Sequence, residues 1–188
     1  MLDKIYMTKL KKDTEAYALK RREIIKEAGD ALHHAKRAIF ALQRGNRTEA
    51  EERLHLVEHL LGVIEARHKK EPLLLEEGAY RAAVEEYVEA FILFQFVLNK
   101  KFIQIKAINV EPELYLAGLC DVPGELYRLA IKAGTNHDIA TVKRCAEAAE
   151  EVIGELMEFD LTSYLRTKFD QAKQAAHKLE QVVYDLSL

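Results

Sequence analysis

Glutamate and aspartate side chains stand in two places where the surrounding sequence is strongly apolar. In Val84-Glu85-Glu86-Tyr87-Val88-Glu89-Ala90 three glutamates lead directly into Phe91-Ile92-Leu93-Phe94-Gln95-Phe96-Val97-Leu98. In Gly118-Leu119-Cys120-Asp121-Val122-Pro123-Gly124-Glu125-Leu126 two further acids are spaced by four residues. At helical pitch Glu85, Glu86 and Glu89 share an arc of about a quarter turn, and Asp121 and Glu125 stand one above the other. Acids beside so much apolar surface are costly to bury unless a cation compensates them. Carboxylate oxygens from two helices suit magnesium or manganese, whereas zinc favours histidine and cysteine. Acids holding such ions, with no nucleophilic Ser or Cys, suit phosphodiester hydrolysis, in which the metal activates water and stabilises the leaving oxygen. Ion pairs with Arg81 or Arg128 would explain the same acids structurally. Other helix glutamates, among them Glu49, Glu51, Glu52, Glu76, Glu77, Glu147, Glu150 and Glu151, read as solvated faces.

The elements that must position these acids are helices. Only 8 Gly and 3 Pro punctuate 188 residues, and helix formers dominate. One all-α domain covering residues 1–188 is expected, a bundle of six or seven mainly antiparallel helices. Ile24, Ala28, Ala31, Ala35, Ala38, Ile39 and Leu42 give a first helix over about Leu2 to Arg44, with a bend expected near Gly29. Gly45-Asn46-Arg47 ends it, and Thr48 starts a second helix with Glu51 completing a capping box. A third is expected from Leu73 to Phe102 with Gly78 as a weak point. A fourth runs from Pro112 to Ala133, kinked by the internal Pro123. A fifth covers His137 to Met157, and Thr162 or Ser163 caps a last helix reaching about Leu186.

Composition sets outer bounds. Hydrophobic residues make up 49% and charged residues 31%, and the net charge is −3. Any basic surface for nucleic acid must therefore be a local patch. Lys20, Arg21, Arg22, Lys36, Arg37, Arg44 and Arg81 are candidates, and Tyr80, Tyr87 and Phe94 have the chemistry to stack on bases, though their spacing equally suits a core. Cys120 and Cys145 are too few for a disulfide framework and fit a reducing compartment. Met1 to Lys12 lacks the apolar core of a signal peptide, and Ala90 to Leu98 is too short to span a membrane, so a cytoplasmic protein is expected.

Four blocks resemble the translin family, and most closely its translin-associated factor X branch. Glu85-Glu86-Tyr87-Val88-Glu89-Ala90 is similar to that branch's Gln-Glu-Tyr-Val-Glu-Ala. Tyr115 to Leu126 resembles its Tyr-Leu-Leu-Gly-x-x-Asp-Leu-Thr-Gly-Glu-Leu, with Pro123 in place of the threonine. Ala35 to Leu42 is similar to Ser-Lys-Arg-x-Ile-Phe-x-Leu, and Leu179 to Ser187 looks like the closing segment of the translin side. The resemblance implies an all-α subunit of a hollow octamer that encloses single-stranded RNA or DNA. It also implies a magnesium-dependent endoribonuclease in which Glu86, Glu89 and Asp121 hold the metal and Glu125 is a fourth catalytic participant. Glu85 aligns with a glutamine and ranks below them. Arg21, Arg22, Lys36, Arg37 and Arg81 are the expected nucleic-acid contacts. The mixture of branch features suits a homo-oligomer, with a separate translin-like partner subunit as the other arrangement.

Two other readings compete. A non-catalytic scaffold that binds single strands would need the same basic lining without a working acid cluster. A di-iron or di-manganese bundle would use Glu52-x-x-His55 and Glu65-x-x-His68, but both lie on one predicted helix where such a site needs two, and both histidines are expected at the surface.

Overall fold

A computed structural model describes residues 1–99 and 101–187, and all its regular structure is helical. The elements are α1 (Lys4–Gln43), α2 (Arg47–His68), α3 (Pro72–Leu75), α4 (Gly78–Val97), α5 (Pro112–Thr135), α6 (Ile139–Met157) and α7 (Ser163–Asp185). The all-α bundle expected from the sequence is the fold observed. α1 packs on α2 and α4, α5 packs on α6 and α7, and the α4–α5 contact joins these two groups. The two helices that carry the acids are therefore the seam of the molecule.

Short connections fold neighbouring helices back on one another. Between α1 and α2 the amide of Gly45 donates to the Leu42 carbonyl, and that of Asn46 donates to Ala41. This double bond pattern needs a left-handed residue, which Gly45 supplies at φ 81°. Asn46 then caps α2 by accepting from the Glu49 amide. The expected cap at Thr48 is thus displaced by two residues, because the turn that closes α1 also opens α2. α1 runs without interruption through Gly29. The same closing pattern recurs after α5, where His137 takes the left-handed position at φ 59° and Asp138 caps α6. That moves the start of α6 to Ile139.

The largest departure from expectation lies between Pro72 and Phe102. In place of one expected helix, α3 stops at Leu75 and α4 begins at Gly78, with Glu77 extended between them. Leu74 and Tyr80 are both buried. On one continuous helix they would project about 120° apart, too far for one narrow apolar stripe. The extended Glu77 resets the register so that both reach the core. α4 ends at Val97, where Asn99 adopts φ 56°. Lys101 and Phe102 lie outside any helix, and Lys100 is outside the described residues. α5 continues through Pro123, which is buried within it.

Gly118 sets how closely α4 and α5 approach. A Cβ at this position would lie 2.6 Å from the Glu85 carbonyl oxygen and 2.7 Å from the Val88 Cβ. Both obstacles sit on or next to backbone and have little freedom to yield. Gly118→Ala is expected to force the helices apart and lower stability by about 1–3 kcal/mol, read as a drop in the denaturation midpoint. Because Glu85 carries one of the contacts, the same substitution also displaces the acid-bearing turn of α4.

Candidate carboxylate centre at the α4–α5 seam

Glu89 lies at the heart of the cluster. It faces the α5 seam from a helix whose neighbours Tyr87, Val88, Ala90, Ile92 and Leu93 are fully buried. It retains only 7% exposure, and its carboxylate has no hydrogen-bond or ion-pair partner among the described residues. Burial, followed by the nearby negative charges of Asp121, Glu86 and Glu125, pushes its carboxyl up to about 9. Glu86 is also raised, first by burial, with Lys36 offsetting part of the effect from 3.9 Å. Asp121 is raised by burial too, against the opposing pull of Lys168. The negative charges of Asp121 and Glu125 on α5 thus bear on Glu86 and Glu89 of α4, so acids from two helices meet at the seam.

Glu125 is held from two sides. Its carboxylate accepts from Gln43 Nε2 at 2.7 Å and from Arg128 at 3.1 Å, and Gln43 also reaches the Glu125 carbonyl oxygen at 3.0 Å. α1 thereby braces the lower turn of the cluster through its last residue.

α7 supplies a part that sequence reasoning does not reach. Lys168 is 9% exposed and pairs with Asp121 Oδ2 and, at 2.8 Å, with Glu85 Oε1. Burial alone would push its ammonium pKa down, but the bonds to Asp121 and Glu85 outweigh this and raise it. The Tyr164 hydroxyl donates to the two oxygens of Glu85 at 2.9 and 3.0 Å. Glu85 is therefore tied to α7 through both of its oxygens. A signal for Lys168 is present: it falls between Leu165 and Ala172 on the apolar stripe of α7, which continues to Leu179. A lone cation on such a stripe needs a buried anion.

No group of three or more His, Cys, Asp or Glu side chains among the described residues is arranged to hold a metal ion. What fits a hard divalent cation is the donor chemistry. All candidate donors are carboxylate oxygens, and Glu89 carries no cation of its own.

The basic candidates divide unequally. Arg21 is taken up by Glu77 at 2.5 Å and Arg37 lies 3.5 Å from Glu49. Arg81 bonds Glu111 at 2.9 Å, Glu113 at 2.6 Å and Glu76 at 3.2 Å, tying the start of α4 to the start of α5 rather than reaching the acid cluster. Lys20 and Arg44 are likewise paired, with Glu71 and Glu49. Among the described residues Arg22 bonds only the Ala18 carbonyl, and Lys36 is exposed at the rim of the cluster, 3.9 Å from Glu86. Tyr80, Tyr87 and Phe94 are core residues, and the hydroxyls of Tyr80 and Tyr87 are used by Glu65 and Glu58, so none is available for base stacking. His55 is exposed as expected, but His68 is buried, which corrects its expected place at the surface. Glu65 is occupied by Tyr80 and the Asn109 amide, so the Glu-x-x-His spacings on α2 form no shared site.

Comparison with known proteins agrees with this architecture. The chain is 33% identical over 98 residues to an uncharacterized protein of Methanocaldococcus jannaschii, an alignment spanning 50% of this chain and 44% of that one. Apo-NeC3PO superposes with a TM-score of 0.86 at 21% identity, covering 99% of this chain and 98% of its own. AfC3PO, also solved as a complex with duplex RNA, superposes with a TM-score of 0.87 at 24% identity, covering 97% of this chain and 96% of its own in that complex. At these identities the superpositions establish a shared fold. The sequence model of the translin family matches residues 19–188, which include every acid of the cluster, and the chain belongs to the translin family.

Proposed function

We infer that this protein is a nucleic-acid-binding subunit of the translin-associated factor X type, with magnesium-dependent endoribonuclease activity. The observation that carries this reading is the buried, unpartnered Glu89 carboxyl, surrounded by Glu86, Asp121 and Glu125 and held far above the usual carboxylate range. A cluster built only for stability would pair that acid, since an uncompensated buried carboxyl is destabilising. Glu86, Glu89 and Asp121 are the residues that would hold Mg²⁺, or Mn²⁺ in its place. The ion would supply an activated water and stabilise the leaving oxygen of a phosphodiester.

The chain's own residues do the remaining work. Glu125, braced by Gln43 and Arg128, would accept a proton from the attacking water. Lys36 and Arg22 are the basic candidates least committed to carboxylates, and we assign them to backbone phosphates of RNA, with Arg21, Arg37 and Arg81 engaged in ion pairs. A single domain working within a homo-oligomer, octameric by family resemblance and cytoplasmic, completes the proposal; a translin-like partner subunit is the alternative assembly. Single-stranded RNA is the proposed substrate, with DNA as a further ligand. The duplex RNA bound by AfC3PO makes the duplex the necessary comparison.

Labelled single-stranded and duplex RNA incubated with the purified protein in Mg²⁺ or EDTA test this. The expected result is salt-dependent binding in both conditions and internal cutting of the single strand in Mg²⁺ only. Salt-dependent binding without cutting in either condition would favour the scaffold reading.

A further inference from the structure

Lys168 is the only buried lysine among the described residues. Its ammonium lies between Glu85 of α4 and Asp121 of α5, over the ring of Tyr164 at 5.5 Å. Both oxygens of Glu85 are engaged, Oε1 by Lys168 and Tyr164 and Oε2 by Tyr164. Asp121 differs. Only Oδ2 meets Lys168, and Oδ1 has no hydrogen-bond partner among the described residues. Glu85 and Tyr164 therefore anchor the lysine, and the lysine fixes one oxygen of Asp121 while leaving the other available.

We propose that Lys168 is a positioning residue for the divalent-cation site, orienting Asp121 so that Oδ1 faces the acids of α4. This rests on the reading of Glu86, Glu89 and Asp121 as metal ligands. A carboxylate ligand whose second oxygen is hydrogen-bonded loses less side-chain freedom on taking up a metal, and outer partners of this kind commonly govern affinity. α7 thereby becomes part of the site, although it contributes no ligand. The chain's arrangement also separates two roles among neighbouring glutamates: Glu85 supports Lys168, whereas Glu86 meets only the exposed Lys36 at 3.9 Å among the described residues.

Charge alone predicts the opposite sign. Removing a nearby ammonium makes the cluster more negative and would tighten a cation. Positioning predicts looser binding. The test is titration of metal-free protein with Mn²⁺, following free Mn²⁺ by electron paramagnetic resonance, for the wild type, K168M, K168R and Y164F. K168M keeps most of the length of the side chain without its charge, and weaker Mn²⁺ binding by about tenfold or more is expected. K168R keeps a charged donor able to span two carboxylates and is expected to restore most of that affinity. Y164F removes the hydroxyl that holds the anchor and should weaken Mn²⁺ in the same direction by a smaller factor, which gives a second reading if K168M does not fold.

A purely structural lysine would lower the melting temperature of K168M and leave the Mn²⁺ affinity of the folded chain unchanged. Unchanged or tighter binding in folded K168M, or in Y164F where K168M does not fold, overturns the positioning role while the metal-site reading stands. A wild-type chain with no Mn²⁺ site at the cluster overturns both.

Discussion

Asp121→Asn is expected to reduce Mg²⁺-dependent RNA cutting by about 100-fold or more while leaving RNA binding in EDTA close to that of the wild type. The substitution preserves size and hydrogen bonding but removes the charge that a hard cation requires. Loss of a partner that merely orients a ligand costs about 10–100-fold in comparable sites, so loss of a ligand belongs at or beyond the upper end. Folding should survive, because the side-chain amide still offers an oxygen to Lys168, although the bond is no longer assisted by two charges. Lys36 and Arg22 lie on α1 and are untouched by the change, so binding has no reason to fall. Rate and affinity measured on the same preparation separate these effects. A variant that cuts as well as the wild type would move the chemistry away from α5.

The second large effect concerns stability. Glu89 holds its proton up to about pH 9 in the folded chain, against an ordinary value of 4.5. Across that window the folded chain binds more protons than the unfolded one, so this residue makes stability fall as pH rises. Its contribution is fully present below the unfolded value and is lost as pH climbs through the folded value. Glu89→Gln removes the titration while keeping the shape. In the absence of divalent cations the variant should melt close to the wild type at pH 5 and distinctly above it at pH 9. A linked contribution of about 2 kcal/mol, well below the full shift, corresponds to about 4–8 °C for a domain of this size. Mg²⁺ should raise the wild-type melting temperature at pH 8 and have little effect on the variant, because ligand binding stabilises only the chain that holds the site. Melting curves that coincide at every pH would show that Glu89 is neutralised by something else.

Much of the site is legible in the sequence because its signals are local. Three glutamates within five residues, followed by an apolar run, can point only a few ways on a helix, and Asp121 and Glu125 are fixed relative to each other by one helical turn. Pro112 marks the start of α5 because its missing amide costs nothing at a first helical position. The break between α3 and α4 is not legible in the same way. Glu76, Glu77 and Gly78 permit a helix, and only the burial of both Leu74 and Tyr80 favours interrupting it. Lys168 shows the same limit more sharply. Its place on the apolar stripe of α7 says that it needs an anion, but its partners stand 47 and 83 positions earlier in the chain, where no local spacing points to them. The spacing of His68 from Glu65 suggests a ligand pair at the surface, whereas its burial depends on how the end of α2 meets the bundle. Arg81 has the charge of a phosphate contact, and only the arrival of Glu111 and Glu113 at the start of α5 shows where that charge is used.

The most direct test is to locate a divalent cation in the protein itself. Crystals grown without metal and soaked in Mn²⁺ should show an anomalous difference peak between Glu86 and Glu89 of α4 and Asp121 of α5, and the peak should vanish in Asp121→Asn crystals. No peak at the seam, or a peak elsewhere that survives the substitution, would contradict a carboxylate metal centre and leave these acids without the chemistry assigned to them.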